Sequence, residues 1–173
     1  MIRRSIVMAV LGLAGILSTA QAQTVQTLAE RLSAGHPAGC YTEAARIFGA
    51  GQRDDAVFLF YLGQLRFRTH LTARPTLRRD ADPAAFGALS EQVGRPINEY
   101  AFGDIPALLR TLDEVMAFDR RSPDRFTTAA EFPDATRRIR EGMAQYRTGL
   151  ASRGDEIRAA RTANGLENRS MGR

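Results

Sequence analysis

Lysine and tryptophan are absent from this 173-residue chain, cysteine occurs once and histidine twice. The lone cysteine, Cys40, excludes a disulfide within the chain. His36, His70 and Cys40 cannot by themselves close a four-ligand zinc site, so neither a metal nor a cofactor is expected. No glycine-rich phosphate loop follows a strand, and no Gly-x-Ser-x-Gly elbow is present. No alternating Val/Ile/Thr run marks a strand, and the seven prolines fall outside the segments with helical periodicity. These absences leave an all-α chain without a recognisable catalytic constellation.

The basic residues are all arginine, and 24 of them oppose 19 acidic residues for a net charge of +5. The two signs are interspersed, so no basic face marks a nucleic-acid partner. Residues 1–22 read as a secretory signal. Arg3 and Arg4 form its charged start, Ile6 to Leu17 its apolar segment, and Ala20-Gln21-Ala22 its small-residue cleavage site. No later stretch approaches the length of a transmembrane helix. The expected product is a periplasmic or secreted domain over 23–173, large enough for one core, with a loose tail over 167–173.

The richest stretch is Cys40 to Leu71. Six of the 13 aromatics (nine Phe, four Tyr) lie between Tyr41 and Phe67. Tyr41, Ala44, Ala45, Ile47 and Phe48 share one helical face. Gly49 and Gly51 suit a helix end. Asp54 and Asp55 supply a capping oxygen and negative charge for the next helix. From Ala56 to Leu62 the residues are apolar on every side, which requires burial. Gly63 allows a neighbouring backbone to come close. The spacing predicts a helical hairpin whose second helix, about 54–71, is the centre of a single compact domain of five or six helices.

The run Ala44, Ile47, Gly51, Ala56, Phe60, Gly63 resembles the small, large, Gly, Ala, aromatic, small spacing of one tetratricopeptide-type repeat. Cys40 stands where that family usually opens with Trp, and Arg68 where it closes with Pro. The resemblance covers about 28 residues and implies a helical hairpin of the kind that builds protein-binding grooves. No second copy follows at about 34 residues, so a stacked array is not expected.

Elsewhere, Thr24 to Leu32 predicts a short helix, and Ser33 to Gly39 its break. Thr72 to Asp82 is a polar connector. Asp82-Pro83 opens a helix carrying Phe86, Leu89 and Val93 and ending at Gly94. Ile105, Leu108, Leu112 and Val115 mark an amphipathic helix from Asp104 to about Asp119, and a connector follows over 119–126. A long helix from about Asp134 repeats Ile139, Met143, Tyr146, Leu150 and Ile157 at four- and three-residue steps. This seam suits docking on the hairpin, or pairing with a second copy in a homodimer.

Arg95 to Asp104 is the most unusual predicted loop. Its Ile97, Tyr100 and Phe102 either fold onto the core or join Glu99 and Asp104 in a binding surface. Glu99, Tyr100, Phe102 and Asp104 are therefore the candidate partner-binding residues. Cys40 reads as a buried core thiol or as a nucleophile needing His36 or His70. The expected function is non-catalytic binding of another protein, as a neutraliser of a secreted toxin or an envelope adaptor or chaperone. The alternative is a small envelope hydrolase using Cys40, or Glu99 with Asp104.

Overall fold

The computed structural model describes residues 25–169. The signal segment over 1–22 and residues 170–173 lie outside the described residues. Among those described the chain is all-helical, with α1 over 25–32, α2 (Ala38–Gly49), α3 (Arg53–Ala73), α4 (Asp82–Gln92), α5 (Gly94–Ala101), α6 (Ile105–Arg121), α7 (Pro133–Ser152) and α8 (Gly154–Ala163). None of these helices is long and apolar enough to cross a membrane.

The described residues form eight helices where five or six were expected, for local reasons. The segment read as a loop over 95–104 is helical to Ala101. Pro96 falls in its first turn, where a missing N–H costs nothing. Ile97 and Ala101, four residues apart, are both buried, so one face of a short helix anchors it. The long C-terminal helix breaks at Arg153, giving α7 and α8. Its seam faces inward: Met143 and Leu150 are in the core, and Ile139 and Ile157 pack against it. Only Tyr146, 39% exposed, remains for a second copy.

The α2–α3 corner follows its sequence closely. Gly51 adopts φ +87°, while Gln52 N donates to Ile47 O and Gly51 N to Phe48 O, both at 3.0 Å. This paired closure by a left-handed residue after the last turn satisfies the terminal carbonyls of α2. Asp54 and Asp55 lie in the first turn of α3 but no side chain caps it, so their contribution there is negative charge alone. α3 then runs back beside α2. A Cβ on Gly63 would lie 2.8 Å from Cys40 Cβ and 3.2 Å from the Tyr41 ring. The missing side chain is what lets the two helices approach.

Thirteen of the 21 residues of α3 are buried, and α2, α4, α5, α6 and α7 all pack on it. Its aromatics meet their neighbours edge to face, Phe60 with Tyr41 at 5.3 Å and Phe58 with Phe118 at 5.5 Å between ring centroids. Such pairs add about 0.5–1.5 kcal/mol beyond area burial.

One charged residue of α3 goes inside with them. Arg66 is 2% exposed; its Nη2 donates to Ser122 O at 2.8 Å, and its Nε faces Asp119 Oδ1 at 3.5 Å. Arg140 completes the group, donating to Asp119 Oδ2 at 2.8 Å. Asp119 is therefore a buried α6 residue, where the sequence suggested the start of a polar connector. The cluster ties α3, α6 and α7 together.

Two stability predictions follow from this packing. Gly63→Ala should destabilise by about 1–3 kcal/mol through overpacking. Gly149→Ala, whose Cβ would meet nothing within 4 Å, should stabilise α7 by about 0.5–1 kcal/mol. Urea denaturation of both variants checks the pair, and equal shifts of one sign would contradict the α2–α3 contact. Arg66→Ala leaves a buried carboxylate short of a partner and should cost about 3–5 kcal/mol. An unchanged urea midpoint would show that Arg66 is solvated.

Candidate functional site

Two of the four candidate residues, Glu99 and Tyr100, line one open pocket of about 300 Å³. Phe48 and Arg53 enter it from the α2–α3 corner, and Arg161, Glu167 and Arg169 from α8 and the chain beyond it. The chain returns there because α8 ends as α2 does. Gly165 takes φ +71°, with Gly165 N donating to Thr162 O and Leu166 N to Arg161 O. Arg169 N then donates to Gly103 O at 2.7 Å, and its Nε and Nη2 donate to Tyr100 O at 3.2 and 2.9 Å. Residues 167–169, expected to be loose, are thus fastened to α5. The Asn164-Gly165 pair was the sequence signal for this reversal.

Tyr100 is the hub of the pocket. Its hydroxyl donates to Asp54 Oδ1 at 2.9 Å. The Arg169 guanidinium lies 3.5 Å from its ring centroid, and Arg53 lies 5.5 Å from both the Tyr100 and Phe48 rings. Burial, then the bond to Asp54, pushes the phenol above its ordinary range, while Arg169 and Arg53 pull the other way. Tyr100 therefore stays neutral at physiological pH and acts as a platform.

The charges around it are unpaired. Among the described residues, no carboxylate lies within ion-pair distance of Arg53, Arg161 or Arg169, and no cation pairs with Glu99 or Glu167. Arg161 donates through Nη2 to Glu167 O at 2.8 Å, yet its Nε is buried without a partner.

The other two candidates do different work. Asp104 caps α6, accepting from Ala107 N at 3.0 Å, and is buried. Phe102 packs partly against the core and borders a neighbouring, more open pocket with Glu91 and Arg95, which shares Glu99 and Arg161 with the first. The pairing of Glu99 with Asp104 as joint acid and base is not built.

Cys40 is 2% exposed. Burial pushes its thiol up to about 11, with Arg66 opposing the rise, so the nucleophilic thiolate is suppressed. No hydrogen bond joins it to either histidine. The histidines are instead gathered with a residue the sequence reading used only to start a helix. His70 Nε2 lies 2.7 Å and His36 Nε2 3.5 Å from the same Asp82 Oδ2. Phe126 closes over both imidazoles, at 5.2 Å from His36 and 5.3 Å from His70.

The donors behind each ring define its chemistry. Ala38 N–H donates to His36 Nδ1 at 3.2 Å, and Arg74 Nη1 donates to His70 Nδ1 at 3.0 Å. Each ring, when neutral, therefore carries its proton on Nε2; that of His70 bonds Asp82 Oδ2, whereas His36 Nε2 is buried without a hydrogen-bond partner. A metal-ligating histidine needs the reverse, a bare nitrogen toward the ion and an N–H given to an acceptor behind. The three ligand atoms lie within 4.8 Å of one another, and at His70 the hydrogen-bond pattern fits a proton shared with Asp82. Thr127 Oγ1 stands 3.4 Å from His70 Nδ1, in the order of a nucleophile, base and acid. Thr127 is only 1% exposed, and Arg74 also donates to its oxygen at 3.1 Å. The group works as a clasp joining the α1–α2 link, α3, α4 and the segment before α7.

No protein-family model, no curated protein and no solved structure matches this chain. The functional reading therefore rests on the residues themselves.

The clasp has a pH signature. The bond from His70 holds the Asp82 carboxyl below its ordinary range, with His36 adding to the effect. An acid depressed in the folded state contributes stability in full above its unfolded value of about 3.9. That contribution disappears as pH falls through the lower folded value. Asp82→Asn should therefore melt below wild type at pH 7, and the gap should close as pH falls below about 4. Melting curves that stay parallel down to acid pH would remove Asp82 from the clasp.

Proposed function

We propose that this is an exported, non-catalytic domain that binds another protein at the corner formed by Arg53, Glu99, Tyr100 and Arg169. The observation that carries the reading is the set of charges around Tyr100: three arginines and two glutamates converge on one open pocket without ion-pair partners among the described residues. Tyrosine and arginine in a central pocket are the residues that most often dominate protein interfaces. Mixed charge favours a partner of complementary charge pattern and sets orientation more than raw affinity.

The tip of the α2–α3 hairpin supplies Phe48 and Arg53 to this corner. Its resemblance to a tetratricopeptide-type repeat gives the same expectation, a hairpin used to hold protein. The secretory signal over 1–22 supports a periplasmic or secreted location. Neutralisation of a secreted toxin is the sharpest version of the role, and an envelope adaptor or chaperone the broader one. The hydrolase alternative has lost support, since Cys40 is buried with its thiolate suppressed and Asp104 is a helix cap.

The test uses the exported chain as bait against an envelope extract. Arg53→Glu and Glu99→Arg both change exposed residues, so folding should survive. Each should weaken capture of the wild-type partner by about tenfold or more, roughly 1.4 kcal/mol. Cys40→Ser should capture it normally and complement a deletion. A folded Cys40→Ser protein that captures the partner yet fails to complement would overturn the binding reading.

A further inference from the structure

We propose that the cleft between α3, α5 and α7 is a separate binding site for a small organic anion with an apolar body. The cleft holds about 340 Å³, within the usual range of small-molecule sites. Its inner wall is apolar, formed by Ile139, Met143 and the Tyr61 and Tyr146 rings, whose centroids lie 6.4 Å apart at a 32° tilt. That wall would cover a flat or aliphatic ligand body.

The polar groups at the cleft are chiefly donors. Tyr61 hydroxyl donates to Asn98 Oδ1 at 2.9 Å, so the acceptor end of Asn98 is occupied and its amide N–H groups remain for a ligand. The Arg68 guanidinium sits 5.4 Å from the Phe86 ring centroid and has no carboxylate partner among the described residues. Gln64 completes the rim, and no carboxylate lines the cleft. One permanent cation and free amide N–H groups, with no acidic neighbour, complement a carboxylate, sulfonate or phosphate.

Gly142 supports the same reading from the α7 side. It lies mid-helix, where glycine is less stable than alanine, yet a Cβ there would meet nothing within 4 Å. It lines the cleft, so a larger side chain placed there has room to enter it. This site shares none of its lining with the Arg53–Tyr100 pocket, so it stands or falls independently of the protein-binding reading.

Calorimetric titration of the purified chain with 2-naphthoate, 2-naphthylmethanol and 2-naphthylmethylamine tests both halves of the proposal. Naphthoate should bind saturably with a Kd at or below about 1 mM, at least about tenfold tighter than the alcohol or the amine. Arg68→Gln should reduce that preference to within about threefold. Gly142→Phe should fill the cleft and abolish binding while melting at or above the wild-type temperature. If Gly142→Phe fails to fold, Arg68→Gln decides the matter. Absence of naphthoate binding, equal binding of the amine, or full binding by folded Gly142→Phe would each overturn the site.

Discussion

Burial of α3 on every side is the constraint on which the other helices depend. A helix that is apolar all round from Ala56 to Leu62 has no face to leave in water, so each neighbour is placed to cover part of it. Gly63 opens one side to α2, Phe58 takes Phe118 of α6, and Gly94 lets Phe60 come close beneath α5. A Cβ on Gly94 would stand 2.7 Å from the Phe60 ring. The same burial forces the Arg66 cluster. A guanidinium drawn inside with the helix needs Asp119 and the Ser122 carbonyl, and that requirement orients α6 and, through Arg140, α7.

The lower end of α3 meets a second version of this problem. His70 is buried and polar, and its bonds to Asp82, Arg74 and Thr127 satisfy it while fixing the two connectors that follow α3 and α6. Chemistry that looks catalytic in composition is thereby consumed in structure. His70 Nδ1 already accepts from Arg74 and its Nε2 proton already faces a carboxylate, so that ring has no lone pair left for a substrate proton.

Local chemistry was the legible part of the sequence. Gly51 announced a left-handed helix end and Gly63 a close approach, because each rests on steric rules within a few residues. The amphipathic stripe Ile105, Leu108, Leu112 and Val115 likewise marked α6, all four being buried. The segment GRPINEYA was harder, since Pro96 and Asn98 favour turns and its helical state depends on Phe60 and Tyr61 of another helix. Asp82, 46 positions from His36, and Asp119, 53 from Arg66, form pairs that no spacing rule could anticipate. Glu99 and Tyr100 stood out in the sequence because an aromatic in a polar segment is conspicuous. Arg53, Arg161 and Arg169, which line the same pocket, did not, because arginine is common throughout this chain.

The link from fold to function runs through α5. At eight residues it is too short to be stable alone, so its position is borrowed from its contacts. Asp54, Phe60 and Tyr61 of α3 hold Tyr100, Gly94 and Asn98 in turn. Asn98 then borders the cleft toward α7, while Glu99 and Tyr100 border the pocket toward the hairpin tip. Adjacent residues on one borrowed helix thus build two unlike surfaces, one donor-rich and partly enclosed, the other open and of mixed charge. Any shift of α3 moves both, because α5 has no independent stability with which to resist.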